Sequence, residues 1–80
     1  ENNVARNGQV FPNPMKEETT ILLPSGVFDI TLYDLWGRKI FTRKLCTQRE
    51  VIHREGLAAG SYALHISNEG RSEVIRLVLE

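Results

Sequence analysis

Apolar side chains recur at every second position along three stretches of this chain, and this period limits the possible folds more than any other feature. Successive side chains of a β-strand point to opposite faces, so a period of two indicates strands with one buried face. No segment carries a convincing helical stripe. The pattern predicts an all-β fold with a core of Phe28, Ile30, Leu32, Tyr62, Leu64, Ile66, Ile75, Leu77 and Leu79, joined by Ile40, Leu45, Ile52 and Leu57.

Turn-forming residues separate the alternating runs, because Gly supplies positive φ while Pro, Asn, Asp and Ser fix the bend. Strands are predicted near residues 9–11, 18–23, 27–33, 38–45, 48–54, 61–67 and 72–79. About seven short antiparallel strands with such turns are typical of an Ig-like Greek-key β-sandwich, with a small open barrel as the alternative. Residues 1–8 are interpreted as the end of a linker and residues 9–80 as the domain.

The composition argues against several classes of function. The 80 residues form one domain, and ten basic side chains balance ten acidic ones, so no net charge attracts nucleic acid. No apolar run approaches the ~20 residues of a membrane-spanning helix, so direct membrane insertion is not expected. Cys46 is the single cysteine and is interpreted as a small apolar filler. The start at Glu1, without an initiator methionine, suggests a piece of a longer protein.

Pro12, Asn13 and Pro14 form a stiff segment at the start of the domain. Each proline has a fixed φ and pushes the residue before it toward extended geometry. Its stiffness as a rigid entry into the domain explains the segment. A proline-rich ligand for a groove-binding partner is the alternative.

Residues 34–38, with the sequence Asp-Leu-Trp-Gly-Arg, join two predicted strands. Asp34 suits an Asx-type turn and Gly37 suits a positive φ, but a turn does not account for Trp36. Trp36 is either a lid over the end of the sandwich or a contact for a partner, since aromatic residues beside Arg are enriched at interfaces.

Leu57, Gly60 and Tyr62 have the spacing of a tyrosine corner. In such a corner, a Tyr near the start of a strand hydrogen-bonds back to the preceding arch and fixes a Greek-key crossover. A structural role is therefore favoured for this motif, although it leaves the region of Gly60 and Tyr62 available as a recognition surface.

The sequence shows no catalytic constellation, no metal site and no cofactor motif. His53 and His65 lie opposite the core face of their strands and lack metal-ligand spacing. Asp29 and Asp34 are not placed as an acid/base pair, and no serine lies in a nucleophile elbow. We therefore expect a chain that is not an enzyme and holds no cofactor.

Four motifs taken in order resemble the type A C-terminal sorting domain of type IX secretion. They are an aromatic-Pro-Asn-Pro opening, an Asp-x-x-Gly-Arg turn after a strand, a Leu-x-x-Gly-x-Tyr corner and a closing strand. Here these motifs are Phe11 to Pro14, Asp34 to Arg38, Leu57 to Tyr62 and Glu73 to Leu79. The chain departs from the family in ending on Glu80 rather than on a basic tail. Leu79-Glu80 is also common before an affinity tag, so either residue could be foreign.

The resemblance implies an address rather than an activity. It implies a larger cargo protein covalently ahead of the domain in a Bacteroidetes-type bacterium. It also implies transit through the periplasm to an outer-membrane translocon and shuttle protein, and then removal by a sortase with attachment at the cell surface or release. The implied recognition residues are Gly60, Tyr62, Ile75, Leu77, Val78 and Leu79, and the implied structural residues are Pro12, Asn13, Pro14, Asp34, Gly37, Arg38 and Leu57.

The last strand is expected to contribute both to the stability of the fold and to recognition by the secretion machinery. Ile75, Leu77 and Leu79 alternate inward, and a terminal edge strand leaves N–H and C=O groups that a partner strand can pair with. On this hypothesis, removing Leu79 and Glu80 abolishes export before it abolishes folding. The alternative function is an accessory module that binds carbohydrate or a neighbouring domain. In isolation we expect a monomer.

Overall fold

Seven strands make up most of the computed structural model, which describes residues 8–80. They are β1 (Gln9–Phe11), β2 (Glu18–Leu22), β3 (Phe28–Tyr33), β4 (Lys39–Cys46), β5 (Arg49–His53), β6 (Gly60–Asn68) and β7 (Arg71–Leu79). The seven predicted strands are confirmed, with bounds that differ by one residue at most. Within the described residues, no helix has the length and apolar character needed to cross a membrane.

The strands form two antiparallel sheets, in the orders β1-β2-β5 and β4-β3-β6-β7. Three connections, β2 to β3, β4 to β5 and β5 to β6, pass from one sheet to the other. As a result β3 lies between β4 and the distant β6. This topology is the Ig-like Greek-key sandwich predicted from the sequence, rather than the small open barrel.

Inward-facing side chains of both sheets form one core. Of the nine residues predicted from alternation, eight are buried, and Ile75 is half-buried and packs against them. Ile52 is buried and Leu57 packs against the core, as predicted. The period of two therefore identified the faces of β3, β6 and β7 correctly.

The prediction that Ile40 and Leu45 lie in the core is wrong, because β4 contains two bulges. Leu32 pairs with Phe41 and the next residue of β3 pairs with Lys39, so Ile40 is an extra residue without a partner across the ladder. A second irregularity precedes Cys46, where Leu45 adopts a φ of 58°. Each extra residue reverses the alternation, so Leu45 is 78% exposed while Cys46 is buried in its place.

Part of the core comes from the N-terminal third of the domain and was not predicted. These buried residues are Met15, Thr19, Ile21 and Leu23. Met15 lies outside the named strands but forms a parallel bridge with Leu79, so the segment before β2 runs beside the end of β7. The hydroxyl of Thr19 donates to the carbonyl oxygen of Pro12 at 2.7 Å, which satisfies a buried polar side chain.

Candidate recognition surface

Three segments meet at one end of the sandwich. They are the turn at residues 34–38, the connection at residues 54–59 and the end of β7. Gly60, the first residue of β6, lies opposite Leu79, and Ala63 lies opposite Tyr33 at the end of β3. Residues 34–36 and 58–62 line a common hollow of about 350 Å³. We call residues 34–38, 54–62 and 79–80 the motif end, since three of the sequence motifs lie here.

Gly8 lies toward the end of the sandwich that is opposite the motif end. Its N–H donates to Oε1 of Glu73 at 2.9 Å, and Glu73 precedes Leu79 by six positions on β7. A strand rises ~3.3 Å per residue, so roughly 20 Å separates the two positions. A Cβ on Gly8 would lie 2.8 Å from Cδ1 of Ile66, so the backbone here packs directly on a core side chain. Gly8 therefore lies about 20 Å from the motif end.

Asp34 organises the turn of the motif end. Its Oδ1 accepts the main-chain N–H groups of Trp36 and Arg38, both at 2.9 Å, and its Oδ2 accepts Nε–H of Arg38 at 2.8 Å. Two main-chain hydrogen bonds close the same turn, from Asp34 N–H to Arg38 O and from Gly37 N–H to Asp34 O, both at 3.0 Å. Gly37 has a φ of 81°, which explains the glycine at this position.

These contacts change the acidity of Asp34. The main-chain N–H of Arg38 has the largest effect in lowering the pKa of Asp34 below its ordinary value, and the Arg38 side chain and the N–H of Trp36 act in the same direction. Each contact favours the ionised carboxylate. The turn is therefore built around a charged Asp34.

Trp36 projects from this turn into solvent. Its side chain is 79% exposed and that of Leu35 is 68% exposed. A lid over the sandwich would be buried against the core, so the lid interpretation is wrong. The partner-contact interpretation stays a prediction that the exposure of Trp36 permits.

Tyr62 forms the predicted tyrosine corner. Its hydroxyl donates to the carbonyl oxygen of Ala58 at 2.7 Å, while its ring is buried in the core. The bond spans the arch between β5 and β6, which is the crossover that such a corner fixes. Tyr62 is thus a structural residue, and its hydroxyl is already engaged inside the domain.

Most side chains proposed for recognition face inward. Leu77 and Leu79 are buried with Tyr62, and Ile75 and Val78 are half-buried. Gly60 is exposed and has a φ of 143°, with no atom within 4 Å of the position where a Cβ would lie. A partner that meets the folded domain can therefore contact Gly60 directly, whereas Leu77 and Leu79 are covered by the core.

The outer edge of β7 is not free at its C-terminal end, contrary to our expectation. Val78 N–H donates to Oδ1 of Asn13 at 3.0 Å, and Nδ2–H of Asn13 donates to the carbonyl oxygen of Arg76 at 2.8 Å. Met15 N–H donates to Val78 O at 2.8 Å, and Glu80 N–H donates to Met15 O at 2.9 Å. The segment Asn13 to Met15 therefore occupies the edge on which a partner strand was expected to pair.

Arg54, which follows β5 of the other sheet, also binds the end of β7 and the segment before β2. Its Nη1 donates to the carbonyl oxygens of Lys16 and Glu80, and its Nε donates to that of Leu57 at 2.9 Å. One guanidinium thus joins the segment before β2, the arch before β6 and the end of β7. Arg54 could not be identified from the sequence, because these three acceptors come together only in the fold. For Asn13, the sequence did offer a signal, because an asparagine between two prolines is held in a restricted backbone conformation.

Other candidate side chains have ordinary surroundings. His53 is exposed, with Nδ1 at 3.4 Å from Oε1 of Glu18, and His65 packs edge-to-face on Tyr33. Within residues 8–80, no three His, Cys, Asp or Glu residues are grouped in a way that could hold a metal ion. Burial raises the pKa of the Cys46 thiol, which disfavours the reactive thiolate.

The fold has a close structural counterpart. The chain is similar to PorZ of Porphyromonas gingivalis, described as an essential bacterial surface component of the type-IX secretion system, with a TM-score of 0.78 and 24% sequence identity. The match covers 91% of this chain and 11% of the PorZ chain, so the chain corresponds to a small part of that protein. This likeness shows a shared fold. A search of curated proteins found no match.

A family comparison covers nearly the whole domain. The profile of the secretion system C-terminal sorting domain matches residues 9–80. These residues include all four motifs that carried the resemblance and all seven strands. The chain therefore belongs to the family of C-terminal sorting domains of the type IX secretion system.

Proposed function

We propose that the folded domain presents its motif end to the outer-membrane translocon and its shuttle protein, while the cargo leaves from the opposite end. The family establishes the domain as a type IX sorting signal, which implies export to the outer-membrane surface or beyond. The partners, the passage through the periplasm and the later action of a sortase are part of the proposal. We also propose that the domain itself has no catalytic role.

One observation carries this proposal, namely the separation of Gly8 from the motif end. Glu73, which holds Gly8, and Leu79 lie at the two ends of one strand segment, roughly 20 Å apart. A cargo attached ahead of Gly8 would leave the turn at residues 34–38 and the arch at residues 54–59 open. A signal read from this end can therefore accept unrelated cargo proteins.

The test is a fusion of residues 1–80 behind a signal peptide and an unrelated folded passenger in a type IX-competent host. We expect the passenger to be exported across the outer membrane. A known sorting domain on the same passenger is the positive control. Retention of the fusion in the periplasm while the control is exported would contradict the assignment.

The accessory-module alternative has weaker support. A sugar platform usually presents several coplanar aromatic side chains. In the described part of the chain, the strongly exposed aromatics are Trp36 and Phe11, which lie on a turn of one sheet and on a strand of the other. This arrangement offers no shared stacking plane.

A further inference from the structure

The apolar tip formed by Leu35 and Trp36 is held rigidly although it contacts little of its own domain. Both side chains are more than two-thirds exposed. Five hydrogen bonds within residues 34–38, three to the Asp34 carboxylate and two between main-chain groups, fix the backbone that carries them. A partner that binds this tip would lose little backbone entropy in ordering it, because the main chain of the turn is preorganised.

The surroundings of the tip are shaped for contact. Ala58, Ala59 and Gly60 line the same hollow as Leu35 and Trp36. The small size of these three residues leaves room in the hollow for a group of the partner near the indole. Trp and Arg are also among the residue types that are enriched at interface hot spots.

The charges at the tip define the chemistry of the partner. Arg38 is 80% exposed and Lys39 is exposed beside it, whereas the Asp34 carboxylate is only 12% exposed and is engaged by three donors. The accessible charge of the turn is therefore positive. A complementary surface has an apolar pocket for the indole and carboxylates at its rim.

We propose that Leu35 and Trp36 anchor this domain to a protein of the secretion machinery whose docking site is an apolar pocket bordered by acidic side chains. This inference rests on the proposed function and names the residues through which the domain would contact the secretion machinery. A second copy of the chain fits less well, because two tips would bring Arg38 and Lys39 against the same residues. A glycan also fits less well, because the Asp34 oxygens that would accept sugar hydroxyls already accept three N–H groups.

The test compares Trp36→Ala with Leu45→Ala in the passenger fusion. Leu45 is a matched control, since it is 78% exposed and lies near the opposite end, beside Asn68 and Gly70. We expect Trp36→Ala to lower the rate of export by roughly tenfold or more, the scale of a truncated hot-spot aromatic. The denaturation midpoints of both variants should stay at the wild-type value, and Leu45→Ala should be exported normally.

The failure of this inference is distinguishable from that of the proposed function. If the wild-type fusion is not exported, the sorting assignment fails. If the wild-type and Trp36→Ala fusions are exported equally, only the docking inference fails. Lys39→Glu tests the charge argument separately, and we expect it to reduce export at unchanged stability, whereas unchanged export would refute the acidic rim.

Tryptophan fluorescence tests whether a glycan or a second copy of the chain binds the tip instead, because Trp36 is the single tryptophan of the chain. The isolated domain is titrated with chitooligosaccharides, maltooligosaccharides and purified lipopolysaccharide. We expect no saturable shift of the emission maximum with any of them. A saturable blue shift with a glycan would overturn the protein-docking proposal in favour of a sugar site. A blue shift that depends only on the concentration of the domain would overturn it in favour of self-association.

Discussion

The side-chain amide of Asn13 takes the place of a peptide group beside Val78. It accepts the N–H of Val78 at 3.0 Å and donates to the carbonyl oxygen of Arg76 at 2.8 Å. A neighbouring strand would satisfy the same two main-chain groups. The first and the last sequence motifs of the domain are therefore parts of one hydrogen-bonded unit, although they are separated by most of the chain.

Replacing Asn13 tests this unit. Asn13→Ala removes both bonds, and we expect a loss of about 1–2 kcal/mol in the free energy of unfolding, since each hydrogen bond contributes about 0.5–1.5 kcal/mol net. Hydrogen exchange at the Val78 amide should accelerate more than exchange at the central amides of β6. Asn68→Ala is the control, because it removes one side-chain bond to Gly70 in the β6–β7 turn. Unchanged protection of Val78 in Asn13→Ala would contradict the pairing.

The tyrosine corner makes a second prediction. Tyr62→Phe removes the bond to the carbonyl oxygen of Ala58, so we expect a destabilisation of ~1 kcal/mol, rising to ~3 if that oxygen stays unsatisfied. Denaturant unfolding measures the change. Tyr33→Phe is the matched control, because it removes the same hydroxyl group from a half-buried ring that packs edge-to-face on His65. Equal midpoints for Tyr62→Phe and the wild type would show that the phenol has no structural role.

The sequence predicted those parts of the molecule that follow from local periodicity. Alternation located β3, β6 and β7, because each is regular along its buried face. It failed at Ile40 and Leu45, because a bulge shifts the alternation without leaving a pattern in one sequence. The pairing that closes the edge of β7 could not be predicted either, since Asn13 and Val78 are far apart in the chain. Exposure of Trp36 could be decided only once the fold showed that its turn projects away from the core.

Acidification should weaken the turn around Asp34. The pKa of Asp34 in the folded chain lies below its ordinary value of 3.8, so the ionised group stabilises the fold above that pH. This contribution is lost as the pH falls through the lower pKa of the folded state. We expect wild type to exceed Asp34→Asn in thermal midpoint at neutral pH and the difference to shrink below pH 3.8. A constant difference across this range would contradict a role for the charge.

Cys46 should behave as a reporter of global unfolding. Its thiol is buried at the end of β4, and burial raises its pKa, so little thiolate is available in the folded state. We expect alkylation by iodoacetamide to be slow in the native protein and to accelerate with denaturant along the unfolding transition. Alkylation at the rate of a free thiol without denaturant would show that the second bulge of β4 opens locally.

Removing Leu79 and Glu80 should lower stability and export together, which revises the expectation drawn from the sequence. That expectation took the end of β7 to be an open edge. In the structure Leu79 is 2% exposed, and Glu80 is held by Met15 and Arg54.

The size of the effect follows from the burial. Loss of a buried Leu side chain alone costs roughly 2–5 kcal/mol, a large share of the ~5–15 kcal/mol that stabilises a typical domain. Glu80→Ala keeps the main-chain bonds and should match the wild type in both stability and export. The measurement is a series of truncations and substitutions scored in parallel for thermal unfolding and for secretion of the passenger. A truncated chain that unfolds at the wild-type midpoint but is not exported would show that the secretion machinery recognises the C-terminal residues directly. If secretion instead follows stability, β7 acts through the fold, and recognition is left to groups on the surface such as Trp36.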